Sequence, residues 1–300
     1  MISIKNISKT FISNLFSKAD NVHKLKIGNP LENKVLINAF FEPSTRTSLS
    51  FETAMYRLGG NVITFNKDVS SMNKGENFED TIKTLATFGD AIVLRHSEIG
   101  KVEEAKKNCD IPIINGGDGA GEHPTQALLD LYTIYTKYPT LHGLKILFIG
   151  DLKYSRAVHS LIDILDFYPG NKIYFFPYKD RELDYEAVCK ISITHLQNVE
   201  DMTIYEENFD ISEYDVVYCT RLQNERNVHA LRDPGFILTK DIVNDMKEDA
   251  IIMHPLPRNQ EISTEVDKDH RCMYFKQMEY GVKVRMALLH TILGSNGYQD

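Results

Sequence analysis

The sequence is poor in cysteine: Cys109, Cys189, Cys219 and Cys272 lie far apart, form no CxxC pair and lack the spacing of a disulfide framework. A reducing cytoplasm is the expected location. No apolar run approaches the roughly 18 residues of a spanning helix. The opening Met1-Ile2-Ser3-Ile4-Lys5-Asn6 lacks the ~7–15-residue apolar core of a secretory signal, so neither membrane nor export is expected. Excess positive charge is missing too. With a formal net charge of −8 over 300 residues, the chain has no general pull toward nucleic acid or anionic lipid, and any bound anion must be held by locally placed cations. Ten histidines occur without an HExxH motif or a Cys/His cluster of zinc spacing, so no metal site is expected. The loop Gly150-Asp151-Leu152-Lys153-Tyr154-Ser155-Arg156 has neither GxGxxG nor GxxxxGK[ST], and no GxSxG elbow occurs anywhere. Dinucleotide, P-loop and serine-hydrolase chemistry therefore fall behind.

What is present is a recurrence of short β-branched and aromatic runs between segments of helical period, the pattern of βα units around a mostly parallel sheet. Strands are expected at 34–41, 62–65, 91–95, 111–115, 145–150, 172–176, 215–220 and 250–254. Phe51, Ala54, Met55 and Leu58 recur at helical spacing, as do Val158, Leu161, Ile162 and Leu165, giving each segment one apolar face to lay on a sheet. A helix over about 125–138, ended by Pro139, reads as a bridge between two domains. A final helix over 283–293 could return to complete the first. The fold class is thus α/β, with two domains, each a mostly parallel sheet flanked by helices.

Ligands of parallel α/β sheets bind beyond the carboxyl ends of the strands. Basic or polar groups follow one expected strand after another: Arg46, Arg95 with His96, His123, Arg156, Arg221 and Arg258. Any one of them alone would be an ordinary loop residue; the set points to a cationic pocket for a small polyanion. The strongest local signal is Glu42-Pro43-Ser44-Thr45-Arg46-Thr47 between a strand and a helix. Ser44 and Thr45 suit an N-cap, yet no Glu or Gln follows three residues later, so the capping box is incomplete. Arg46 in the first turn opposes the helix dipole unless an anion sits between, and Arg156 repeats the conflict. The run Gly116-Gly117-Asp118-Gly119-Ala120-Gly121 reads as a flexible loop or turn ahead of His123.

With Ser44-Thr45-Arg46-Thr47, His123-Pro124-Thr125-Gln126 and His254-Pro255-Leu256-Pro257-Arg258 in this order, nearly the whole chain resembles the carbamoyltransferase family. Through Lys74-Gly75-Glu76, the Gly150–Arg156 loop and Thr220-Arg221-Leu222-Gln223 it is similar to the members that use aspartate. Members that use ornithine carry His-Cys-Leu-Pro at the third motif and a Ser-Met-Gly motif missing here. One departure is Ser48, where an arginine often follows the first motif.

The resemblance implies transfer of the carbamoyl group of carbamoyl phosphate to the amino group of L-aspartate, giving N-carbamoyl-L-aspartate and phosphate in de novo pyrimidine biosynthesis. It implies a carbamoyl-phosphate-binding domain at 1–124 plus 280–300 and an aspartate-binding domain at 125–279. It also implies a homotrimer with shared active sites and leaves association with regulatory chains open. Ser44, Thr45, Arg46 and Thr47 would hold phosphate. Thr47, Arg95 and His123 would contact the carbamoyl oxygen, with Gln126 and the carbonyls of Leu256 and Pro257 near the carbamoyl nitrogen. Arg156, Arg221 and Gln223 would bind the aspartate carboxylates, and Ser70 and Lys74 would come from the adjacent chain. Thr47, Lys74, Arg95 and His123 are the catalytic candidates; no cofactor or metal is implied. Asp151, Glu42, Glu76 and His254 are read as supporting residues, and Arg258 and Arg285 as either ligand contacts or salt-bridge partners. Two alternatives stand: a carbamoyltransferase acting on a different amine, and a non-catalytic homologue that keeps the fold.

Overall fold

The structure, a computed structural model, describes residues 3–152, 154–177, 199–204, 209–222 and 236–294. The chain forms two compact units, Met1–Leu129 with Met278–Asp300, and Asp130–Gln277.

In the first unit, β1 (Val35–Phe40), β2 (Asn61–Asn66), β3 (Ala91–His96) and β4 (Ile113–Asp118) make a wholly parallel sheet in the order β2-β1-β3-β4. Its helices are α1 (Lys9–Asp20), α2 (Val22–Leu25), α3 (Thr45–Arg57), α4 (Phe78–Ala86), α5 (Lys101–Lys107), the start of α6 (Pro124–Lys137) and residues 278–293 of the long C-terminal helix, which returns to this unit. The pleat separates the two faces. Ile37, Ala39 and Phe41 join Phe78, Ile82 and Leu85 of α4 and Val102 and Ala105 of α5 in one core. Asn38, on the opposite face, donates from Nδ2 to the Ser48 carbonyl of α3 at 3.3 Å. On α3 and at its C-cap, Phe51, Ala54, Met55 and Leu58 are fully buried, as their spacing requires. Burying a large apolar side chain of this kind stabilises the fold by about 1.5–3 kcal/mol.

In the second unit, β5 (Lys145–Gly150), β6 (Asn171–Pro177), β7 (Val199–Ile204), β8 (Val216–Thr220) and β9 (Ile251–Met253) are again all parallel, in the order β7-β6-β5-β8-β9. Among the described residues its helices are the end of α6, α7 (Arg156–Leu165), α8 (Lys240–Asn244) and the first residues of α9 (Tyr274–Leu293). One core gathers Leu147, Ile149, Tyr174, Phe176, Val217, Cys219, Ile252 and Val243. Phe148 meets Phe175 and Tyr218 in a second aromatic set, with ring centroids 6.0 and 5.5 Å apart.

Strand β7 was not expected from the sequence. Its Val199-Glu200-Asp201 start carries two carboxylates in a row, which suits a sheet edge better than a buried run. Helix α9 begins nine residues before the expected 283, and β4 extends through Asp118. Gly116 and Gly117 are therefore strand residues, not part of a flexible loop.

Candidate active site

The connections of the first sheet run from β1 outward to β2 and then back across to β3, so the chain reverses direction between β1 and β3. Crevices form at such reversals, at the carboxyl ends of the strands. Residues from three loops come together there. Phe40 and Arg95 are register partners, and the Phe41 N–H donates to the Arg95 carbonyl at 2.8 Å, which sets Arg95 beside the Glu42–Thr47 loop. The Arg95 guanidinium donates to Glu42 Oε1 at 2.7 Å and to the Gly116 carbonyl at 3.3 Å. Glu42 thus orients an arginine and offsets its charge, while Gly116 ties that arginine to β4.

Helix α3 starts in this crevice with an unusual terminus. Its N-cap Ser44 is extended but makes no side-chain cap bond, and no acidic residue occupies the first turn. By contrast, α1, α4 and α8 are capped by Ser8, Asn77 and Thr239, each accepting from a first-turn N–H. Uncapped N–H groups and the positive helix end suit an anion. Ser44 is half-buried, Thr45 and Arg46 are exposed, and Thr47 is buried.

The glycine-rich run carries the chain from β4 to α6. Gly119 has φ +54°, its N–H donates to the His96 carbonyl at 2.8 Å, and a Cβ there would stand 2.8 Å from both the Ile99 nitrogen and the Ser97 oxygen. Asp118 Oδ2 accepts from the Gly100 N–H at 2.9 Å. Glu122 accepts from Ser3 Oγ and the Ile4 N–H at 2.8 and 2.7 Å. Held on both sides, the turn delivers buried His123, whose carbonyl accepts from the Gln126 and Ala127 N–H groups at the head of α6. Thr125 and Gln126 are buried beside it. His96 has a different part: its ring packs on Phe41 and Phe78 and its Nδ1 accepts from the Glu98 N–H at 3.0 Å. Burial lowers its pKa.

Ser70 and Lys74 belong to this unit as well, on a 3-10 turn (Ser71–Lys74) that follows the mostly exposed edge strand β2. Ser70 caps that turn and donates to the Lys67 carbonyl at 2.7 Å, whereas Lys74 is exposed. Glu76 accepts from Thr81 Oγ1 at 3.1 Å. Arg285 donates to Ser50 Oγ at 2.9 Å and lies over the Phe51 ring, so it packs against α3.

The second sheet reverses between β5 and β8, and the two expected aspartate arginines flank that point. Arg156 opens α7, 6% exposed, behind an N-cap Ser155 with no side-chain cap bond and no acid in the first turn. Arg221 directly follows β8; it is half-buried and donates to the Leu222 carbonyl at 2.7 Å. Thr220 Oγ1 donates to Ser155 Oγ at 3.3 Å, joining the two loop starts. Asp151 Oδ1 accepts from the Tyr154 N–H at 3.2 Å. Gln223 lies outside the described residues.

Beyond β9, His254 is completely buried and Leu256 has φ +54°. Arg258 makes a two-pronged ion pair with Asp267, donates to the Tyr274 hydroxyl at 3.2 Å and lies over the Tyr274 and Phe275 rings. It is a structural partner there. Glu261, which accepts from His254, and Asp130, Tyr218 and Gln277, which form a buried polar chain, belong to no motif of the sequence. A helix-borne Asp or Gln carries no local mark of burial; only the tertiary fold brings them together.

Among the described residues, no group of three or more His, Cys, Asp or Glu could hold a metal ion, and no helix is long and apolar enough to cross a membrane.

Comparison with known proteins gives this arrangement its relatives. Residues 1–136 match the carbamoyl-phosphate-binding domain, and 142–292 the Asp/Orn-binding domain, of the aspartate/ornithine carbamoyltransferases. The aspartate carbamoyltransferase catalytic subunit of Methanocaldococcus jannaschii is 41% identical over 305 residues, covering 99% of this chain and 98% of that one. The multifunctional protein CAD of Squalus acanthias is 43% identical over 98% of this chain, which spans 13% of that protein's length. A Trypanosoma cruzi aspartate transcarbamoylase, solved with carbamoyl phosphate and aspartate, superposes with a TM-score of 0.86 at 38% identity, over 96% of this chain and 94% of that one. Two parallel sheets with arginines at both reversals, matched along almost the whole chain by both domain models, make this chain a member of the aspartate/ornithine carbamoyltransferase family.

Proposed function

We propose that the chain is an aspartate carbamoyltransferase of de novo pyrimidine biosynthesis, acting in the cytoplasm. The observation that carries the choice of second substrate is the pair Arg156 and Arg221 on either side of the β5/β8 reversal. Two guanidinium groups suit the two carboxylates of aspartate, whereas ornithine brings an ammonium group that would be repelled. The relatives named above as aspartate enzymes support the same choice.

In this reading the first unit holds carbamoyl phosphate and the second holds aspartate. The Ser44–Thr47 turn and the head of α3 take the phosphate. Thr47, Arg95 and His123 donate to the carbamoyl oxygen, while Gln126 and the carbonyls of Leu256 and Pro257 take the carbamoyl nitrogen. Arg156, Arg221 and Gln223 fix aspartate. The neutral amine of aspartate attacks the carbamoyl carbon, and negative charge collects on the carbonyl oxygen. Preset donors at that oxygen are the largest expected catalytic contribution. As the tetrahedral intermediate collapses, the C–O bond to phosphate breaks. The amine proton passes to the departing phosphate, so no covalent enzyme intermediate is needed. Confining both substrates supplies much of the remaining rate enhancement.

In the same reading Lys74, exposed on the turn that follows edge strand β2, serves the site of a neighbouring copy, and the chain works as a homotrimer with shared sites. Mixing separately inactive Arg95→Ala and Lys74→Ala chains tests both residues at once. Activity regained on mixing supports shared sites, and a mixture as dead as its parents rules them out. The reaction itself is tested by phosphate release from carbamoyl phosphate with L-aspartate and with L-ornithine.

A further inference from the structure

The stretch Pro255-Leu256-Pro257 contains two prolines, so the Leu256 N–H is its only backbone donor. That N–H donates to His254 Nδ1 at 2.8 Å. An imidazole nitrogen that accepts cannot carry a proton, so the proton of neutral His254 is on Nε2. Nε2 in turn donates to Glu261 Oε1 at 2.8 Å. Glu261 also accepts from the Asn259 N–H at 3.1 and 3.2 Å, closing the loop on itself.

Behind the ring, the His254 N–H donates to Gln277 Oε1 at 2.9 Å. Gln277 Nε2 donates to Asp130 Oδ1 at 2.8 Å, and the Tyr218 hydroxyl donates to Asp130 Oδ2 at 2.8 Å. Asp130 and Gln277 are the residues at which the chain enters and leaves the second unit. His254, Asp130 and Gln277 have no exposed surface, and Glu261 is 3% exposed. Partial charges in so dry a site are costly unless every group is paired, so such a chain fixes geometry tightly. Its free end is Leu256, held at φ +54°, a conformation that costs a non-glycine residue energy and persists only where its surroundings impose it. Among the described residues, none donates to the carbonyl oxygens of Leu256 or Pro257.

We infer that His254, as its Nε2–H tautomer clamped by Glu261, is a positioning residue. It holds the Leu256 backbone in its left-handed conformation and thereby sets the direction of the Leu256 and Pro257 carbonyls, the pair assigned above to the carbamoyl nitrogen. The catalytic half of this inference rests on the function proposed above; the conformational half does not. Burial lowers the pKa of His254 against the opposing pull of Glu261, and Arg258 and Arg221 push the same way as burial, which keeps the ring neutral.

Two near-isosteres separate the two ring nitrogens. His254→Asn keeps an acceptor near the Nδ1 position, and His254→Gln keeps a donor near Nε2 but removes the acceptor. Both lose the imidazole, so a residue that merely fills space would respond alike to the two. Turnover and hydrogen exchange of the Leu256 amide are measured on both full-length variants and on the unaltered chain. The expected result is slow Leu256 exchange and kcat within about tenfold of the unaltered chain for the Asn variant. For the Gln variant, fast exchange and a kcat loss on the order of 100-fold are expected, the size of effect that an ångström of misplacement produces. Equal Leu256 exchange in the two variants overturns the clamp. Fast exchange with unchanged kcat in the Gln variant overturns its catalytic part. An unaltered chain that makes no carbamoyl aspartate fails the proposed function instead, and the exchange result still decides the clamp.

Discussion

A Cβ placed on Gly150 would stand 2.1 Å from the carbonyl oxygen of Thr220, its register partner across β5 and β8. Gly150 also has φ +125°, which side-chain-bearing residues rarely adopt. The contact lies between the strand ends that launch Arg156 and Arg221. Gly150→Ala should therefore cost about 3–5 kcal/mol of stability, because strain and collision act together. It should also raise KM for aspartate in whatever fraction folds. Urea melts and steady-state kinetics check this; wild-type stability would mean that the close approach is not maintained.

Arg156→Ala and Arg221→Ala should each lower kcat/KM for aspartate by about 100-fold, the loss of one charge-assisted carboxylate contact. Phosphate binding, monitored by calorimetry, should change little. Lysine at either position should recover only part of the loss, since a point charge cannot reproduce a planar fork. A loss confined to carbamoyl phosphate would assign these arginines to the other substrate.

Arg95→Ala should reduce kcat by about 100- to 1,000-fold, as removal of one preset oxyanion donor does elsewhere. Glu42 would then lose its bond to Arg95. Single-turnover rates with both substrates saturating give the test. A change in KM alone, at constant kcat, would make Arg95 a ground-state binding residue.

Stability should fall on the acid side of neutrality. Burial lowers the pKa values of His254, His96, His159 and His290 below the ordinary 6.5, so the unfolded chain takes up their protons first. Their contribution is complete above about pH 6.5 and is lost progressively as pH falls from there toward and through their lowered folded values. Glu261, whose pKa is lowered by its bond to His254 despite burial, acts in the same direction at still lower pH. Tm should therefore drop steadily from pH 7 to pH 5 at constant ionic strength; a flat or rising Tm would contradict the buried neutral histidines.

Much of this molecule is legible in its sequence because the strand runs and helical apolar stripes are dense. The Val158, Leu161, Ile162 and Leu165 stripe is buried as its period requires, Ser44 begins a helix without a capping bond, and Arg156 opens α7. The two sheet reversals were not legible. Strand order depends on which crossover packs where, and β7, with Glu200 and Asp201, has no hydrophobic run to announce it. Polar residues were harder still. His96 and His254 look alike after their strands, yet one fills an aromatic core and the other clamps a loop, a difference set by Phe41 and Phe78 in one case and Glu261 in the other. The glycine-rich run read as flexible because glycine permits motion. Here it permits close approach to the 97–99 turn.

The most direct test supplies 13C-carbamoyl phosphate to the purified chain, with L-aspartate or L-ornithine, and follows product and phosphate by NMR. With aspartate, N-carbamoyl-L-aspartate and phosphate should form in equal amounts, and with ornithine no carbamoylated amine should appear. Label transferred to ornithine, or no transfer to aspartate by a folded, assembled protein, would contradict the proposed function.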